Sequence, residues 1–152
     1  MSKIVLAIHK IVFNLHRLGI PLLPTLINAL FIRIPFACRL GVGTKFGKNV
    51  TLGIGGLGTV IHTRAVIGDN VNIGAGVLIG GTTKKHGVPV IGDNTLIATG
   101  AKILGPISIG KNCVIGANAV VVRSIPDNCL VVGPYARVIE GDIDIADYRD
   151  MD

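Results

Sequence analysis

From Leu40 onward an apolar residue returns every six positions: Leu40, Phe46 and Leu52, then Ile61, Ile67, Ile73 and Ile79, then Ile91, Ile97, Ile103, Ile109, Ile115 and Val121. Gly follows directly in 9 of these 13 cases, so a tight corner recurs with the same period. A period of six does not suit a helix, and Val and Ile favour strands. The pattern predicts short strands turned at Gly-containing corners, each stacked on its copy in the next coil around one aliphatic column. Ahead of the repeat, Ile4, Ile8, Ile11, Val12 and Leu15 recur at helical spacing, with Lys3, Lys10 and Arg17 on other positions. That is an amphipathic helix over residues 3–17. Pro21 and Pro24 break it, and a second helix is expected from Thr25 as N-cap to about Ile34, stopped by Pro35.

The repeat loses phase twice. Extra residues separate Leu52 from Ile61, within Gly53-Ile54-Gly55-Gly56-Leu57-Gly58-Thr59-Val60, and one apolar anchor is skipped between Ile79 and Ile91. In a solenoid such departures map to loops, and loops on a rigid frame are where function concentrates. The organisation read from this is an N-terminal helical segment over 1–37, a repeat body over 38–139 and an acidic tail over 140–152. The helices are expected either to cap the open end of the repeat body or pack on a partner subunit, or to anchor at a membrane surface, and the column is not expected to need residues 1–34 to fold.

Composition sharpens this picture. Gly at 21 of 152 residues and the absence of Trp both follow from a coil packed with aliphatic side chains and turned at glycine corners. The net charge of +6 conceals a basic body and an acidic tail, since 6 of the 9 Asp and Glu lie in 140–152. A basic body suits an anionic ligand such as a nucleotide cofactor, an acidic polymer or a membrane surface. Nucleic acid is disfavoured, because no aromatic-interleaved basic patch occurs. Cys38, Cys113 and Cys129 are odd in number and widely spaced, which fits neither a disulfide framework nor a metal site and points to a reducing, cytoplasmic compartment. Lys10, Arg17 and Arg33 interrupt the apolar start, so neither a signal peptide nor a spanning helix is expected there.

The segments Ala65-Val66-Ile67-Gly68-Asp69-Asn70, Ile79-Gly80-Gly81-Thr82, Gly100-Ala101-Lys102-Ile103-Leu104-Gly105, Ile115–Val121 and Val131–Ile139 resemble the hexapeptide-repeat acyltransferases, within them the serine acetyltransferase branch. The resemblance implies an all-β fold, a left-handed parallel β-helix with three hexads per coil, and a homotrimer with acetyl-CoA between neighbouring subunits. It implies that the thioester end meets Gly80, Gly81 and Thr82, that Thr99, Ala101 and Ala117 lie along the cofactor wall, and that Lys102, Lys111 or Arg137 meets CoA phosphates. The chain departs from the branch where its catalytic His is expected, because Gly55 stands there. Arg39 stands near the place of the helper Asp, and Val88 at that of a second substrate-site His.

Acetyl transfer from a thioester to a hydroxyl needs a base, and a neutral imidazole suits that task near pH 7. His9 and His16 read as ordinary residues on the face of the first helix. His62 occupies a corner one coil beneath Gly80, and His86 lies at the tip of the long loop; these two are the candidate catalytic residues. Backbone N–H groups of Gly80 and Gly81 are the natural donors to an oxyanion. The departures from the serine branch favour a hydroxyl of a sugar or polysaccharide precursor as acceptor, as in exopolysaccharide assembly, with serine second and a non-catalytic scaffold third. No metal is expected.

Overall fold

The computed structural model describes residues 1–83 and 86–149. Helix α1 (Ser2–Arg17) is followed by α2 (Leu23–Asn28), which continues through a wider π-turn at Ala29–Arg33 into α3 (Ile34–Phe36). The second helix thus differs from expectation at both ends. Leu22, not Thr25, is the N-cap, and Pro35 lies at the start of α3, where a residue without an N–H is tolerated.

The strands then wind as a parallel β-helix of about four coils. The first coil is β1 (Arg39–Leu40), β2 (Lys45–Phe46) and β3 (Thr51–Leu52), and the second is β4 (Val60–Ile61), β5 (Val66–Ile67) and β6 (Asn72–Ile73). The third is β7 (Leu78–Gly80), β8 (Val90–Ile91) and β9 (Leu96–Ile97), and the fourth is β10 (Lys102–Leu104), β11 (Ser108–Ile109) and β12 (Val114–Ile115). Then come β13 (Val120–Val121), β14 (Cys129–Val132) and β15 (Arg137–Gly141), the last of which folds back antiparallel on β14. Face A stacks β1, β4, β7, β10 and β13; face B stacks β2, β5, β8 and β11; face C stacks β3, β6, β9, β12 and β14.

The six-residue anchors are what hold this together. Leu40, Ile61, Ile79, Ile103 and Val121 superpose on face A, each buried, and their equivalents on faces B and C complete the column. At the corner from B to C, Asn49, Asn70, Asn94, Asn112 and Asn128 all adopt positive φ, a conformation that Asn tolerates. Their amides form a continuous ladder, each Nδ2 donating to the next Oδ1 at 2.8–3.2 Å. Gly41 is required for another reason: a Cβ there would overlap the backbone of Thr63 in the next coil.

The helices close the N-terminal end of this column and supply part of its core. Val5 and Ile32 are fully buried in the same apolar cluster as Cys38 and Leu40. Ser2 Oγ accepts the N–H of Leu52 at 2.7 Å, and Asn28 Nδ2 donates to the Leu40 carbonyl at 2.6 Å. Residues 1–34 are therefore built into the fold, contrary to the reading that the column stands without them. His9 likewise is buried rather than on an open helix face, whereas His16 is exposed.

Candidate active site

Two edges of face A carry the candidate chemistry. At the edge from A to B, His62 lies one coil from Gly80: its N–H donates to the Ile79 carbonyl at 2.9 Å. The expected stacking is therefore observed. The long loop leaves the same edge after β7 and folds back over it, with the Gly87 carbonyl and Val88 Cγ1 both 3.6 Å from where a Cβ of Gly81 would stand. A Cβ on Gly87 would overlap Pro106, so this glycine lets the returning arm seat on the coil above. Thr82 sits over Gly105, and Gly105 in turn donates its N–H to the Gly80 carbonyl at 2.9 Å. Gly80 is a ladder residue opposite Leu104, whereas Gly81 and Thr82 lie just past the strand and are exposed. Of the two expected donors, the exposed backbone is that of Gly81.

The His62 ring is held by its own turn. Nδ1 accepts the N–H of Arg64 at 3.1 Å, which places the ring proton of the neutral imidazole on Nε2. Its outward nitrogen is then a donor. His86 is exposed on the loop, next to Gly87. The three cysteines offer no alternative nucleophile: all are buried, and burial raises the Cys38 thiol to about 11 and shifts Cys113 and Cys129 upward as well.

The other edge of face A, where face C turns into it, carries Thr99 and Ala117, both exposed and on adjacent coils, with Asn118 N–H donating to the Thr99 carbonyl at 3.0 Å. Ala101 does not join them on the wall. It is fully buried, its N–H donates to Ala98 and its carbonyl accepts from Leu78, so it faces the column. Lys102 is exposed on face A, its Nζ donating to the Gly100 carbonyl at 2.9 Å. Lys111 stands apart at the B to C corner, paired with Asp93 at 3.1 Å, and Arg137 begins β15 on the strand layer of face C. One subunit therefore divides the expected residues between two edges of one face, and leaves Lys111 at the third corner.

The Gly55 position also has a structural account. Gly55 is buried in a short 3-10 turn (Gly53–Gly56) with φ 68°, and a Cβ there would lie 3.4 Å from Met1 Cβ and from Phe36 Cδ1. An imidazole at this place would collide with the helical cap. Reading the sequence alone missed two supports of the site, Pro106 beneath the loop and the Arg64 amide behind His62. The coil offset between Gly80 and Leu104 was the signal that could have found the first.

The bacterial transferase hexapeptide (six repeats) family matches residues 89–123. Serine acetyltransferase of Synechococcus elongatus is 37% identical over 136 residues, which is 88% of this chain and 55% of that protein. Among solved structures, serine acetyltransferase from Brucella abortus in complex with coenzyme A superposes with a TM-score of 0.86 at 33% identity, covering 91% of this chain and 55% of that one. Soybean serine acetyltransferase complexed with serine gives 0.83 at 34% identity, covering 89% and 56%. The chain spans about half the length of these relatives.

These likenesses correct the expected acceptor. The missing His, Asp and second His had argued for a sugar or polysaccharide, but the identity runs over most of the chain, helical cap included, and leads to serine acetyltransferases, the alternative reading. Local departures at three positions weigh less than register kept across four coils. By repeat, fold and likeness, the β-helix of this chain is similar to the hexapeptide-repeat portion of serine acetyltransferases.

Proposed function

We propose that the chain is an acetyl-CoA-dependent O-acetyltransferase of the serine acetyltransferase type, with the hydroxyl of serine as acceptor. The observation that carries this reading is the Gly80-Gly81-Thr82 turn at the root of a long loop, within a chain whose relatives include serine acetyltransferases solved with coenzyme A and with serine. In the reaction the serine oxygen attacks the thioester carbonyl, its proton passes to a base, the C–S bond breaks, and CoA leaves as the thiol, re-protonated from that base. Gly81, exposed just past the end of β7, is the backbone N–H donor we assign to the oxyanion.

We assign the base to His86 and a donor role to His62. The lone pair of His62 Nδ1 is already used by Arg64, so its Nε2–H is suited to hold the acceptor oxygen or the thioester carbonyl. Among the described residues the exposed His86 imidazole takes up no hydrogen bond, which leaves it a lone pair for the proton. Because the candidate residues fall on two edges of face A, a complete site requires the loop of one subunit to meet the Thr99 and Ala117 edge of its neighbour. That supports a homotrimer with acetyl-CoA in the cleft, Lys102 beside it.

The test is release of the CoA thiol from acetyl-CoA by the purified protein with and without L-serine. Serine-dependent release supports the reading. Coenzyme A binding without release in the presence of serine overturns the acceptor, and no binding at all overturns the activity.

A further inference from the structure

The helical cap has an apolar surface that nothing among the described residues covers. Ile4 and Ile11 lie seven residues apart along one stripe of α1, Leu18 at its C-cap follows at the same spacing, and the three are 57%, 56% and 75% exposed. Lys3, Lys10 and Arg17 precede them one by one and form a parallel, exposed basic stripe. On the segment packed against α1, Leu22, Leu26 and Ile34 are 83%, 55% and 70% exposed, with Arg33 exposed among them.

Charge says what this surface meets. The chain carries eight Lys and Arg before its first acidic residue, Asp69. Four of these eight, Lys3, Lys10, Lys45 and Lys48, line a groove of about 960 Å³ between α1 and β2, with Phe13 and Phe46 also in its lining and Asp69 as the one acidic side chain among the described residues there. No described helix is long and apolar enough to cross a membrane. A helix with an apolar stripe outward and a basic stripe beside it lies in the plane of a lipid interface.

We propose that the helical cap docks on an anionic lipid bilayer, with the Ile4, Ile11 and Leu18 stripe entering the acyl boundary and the lysine groove receiving a phosphate headgroup. The inference does not depend on which acceptor the enzyme uses. It is tested by sedimentation of the full chain with vesicles of phosphatidylcholine alone and of phosphatidylcholine with about a third phosphatidylglycerol. Retention is expected on the anionic vesicles, weakened roughly fivefold by Lys10→Gln, since each basic residue near such a surface contributes about that factor. Ile11→Glu, at a position already exposed, abolishes retention while leaving the circular dichroism spectrum unchanged. Equal retention on both vesicle types, or none on either, overturns the proposal. If Ile11→Glu instead lowers the solution mass and vesicles retain nothing, the face is an interface between copies, and the proposal is likewise overturned.

Discussion

His62 Nδ1 accepts the backbone N–H of Arg64 across 3.1 Å, so the turn that carries this histidine also consumes its lone pair. The proposed division of labour with His86 is one that kinetics can resolve. His86→Ala is expected to lower kcat by ~10²–10⁴, the usual loss on removing a general base. His62→Ala is expected to cost less, about 10² as for a lost donor, with partial rescue by His62→Gln, which keeps an N–H. The reverse pattern would return the base to His62.

Gly87 seats the loop on Pro106. Gly87→Ala pushes the returning arm off the fourth coil while leaving the aliphatic column intact. The expected result is an unchanged thermal midpoint with KM for acetyl-CoA or serine raised several-fold, measured on one preparation by scanning fluorimetry and steady-state kinetics. A large fall in the midpoint would show that the loop is part of the core.

The cap titrates with the fold. His9 is buried between α1 and the first coil, donates Nε2–H to the Gly41 carbonyl at 2.9 Å and meets Phe46 edge-on at 5.0 Å. Burial holds its imidazole below the ordinary value of 6.5, outweighing the bond to Gly41. As pH falls through 6.5 the unfolded chain takes up a proton that the folded one refuses, so stability is fully present above that value and declines below it. Thermal midpoints measured from pH 8 to pH 5 should fall, and His9→Gln, which can keep the bond to Gly41, should flatten the slope at a cost of about 1 kcal/mol at pH 8. An unchanged slope in the variant would remove His9 as the cause.

Removing residues 1–37 uncovers Leu40 and Leu52 and strips the partners of the Leu40 carbonyl and the Leu52 N–H. The expected outcome is a truncated chain that aggregates or unfolds at a midpoint many degrees lower. Single replacements at exposed positions of the same helices, such as Leu18→Ser, should leave the midpoint within a degree or two.

Light scattering at micromolar protein should give the mass of a trimer, the assembly that the proposed shared site requires. A monomer with full activity would show that one subunit holds a complete site.

The period of six made the β-helix legible, since each anchor from Leu40 to Val121 is a column residue and the two breaks in phase are the two bulges on the frame. The stacking of His62 beneath Gly80 followed from counting one coil. What counting could not deliver was orientation within a corner. Ala101 faces inward and Thr99 outward although both stand in one turn, and the Nδ1 contact of His62 depends on a backbone amide two residues on. The end of the second helix escaped because Pro35 falls where its missing N–H costs nothing. His9 escaped because a polar residue on an amphipathic helix reads as solvent-facing until its carbonyl partner 32 residues away is known.

The asparagine ladder at the B to C corner has a bearing on how such a chain can evolve. Each rung bonds only to the rungs above and below, so any coil presents the same terms to its neighbours as the coil it replaces. An internal duplication of the fourth coil would insert another Gly-Lys-Asn corner between two existing ones and leave every amide partnered. The loop coil has no such freedom, because Gly87 is fitted to one particular Pro106 on the next coil and Gly81 lies against Gly87 and Val88. Lineages of this fold can therefore lengthen toward the C-terminal end by whole rungs while the histidine edge stays fixed in place.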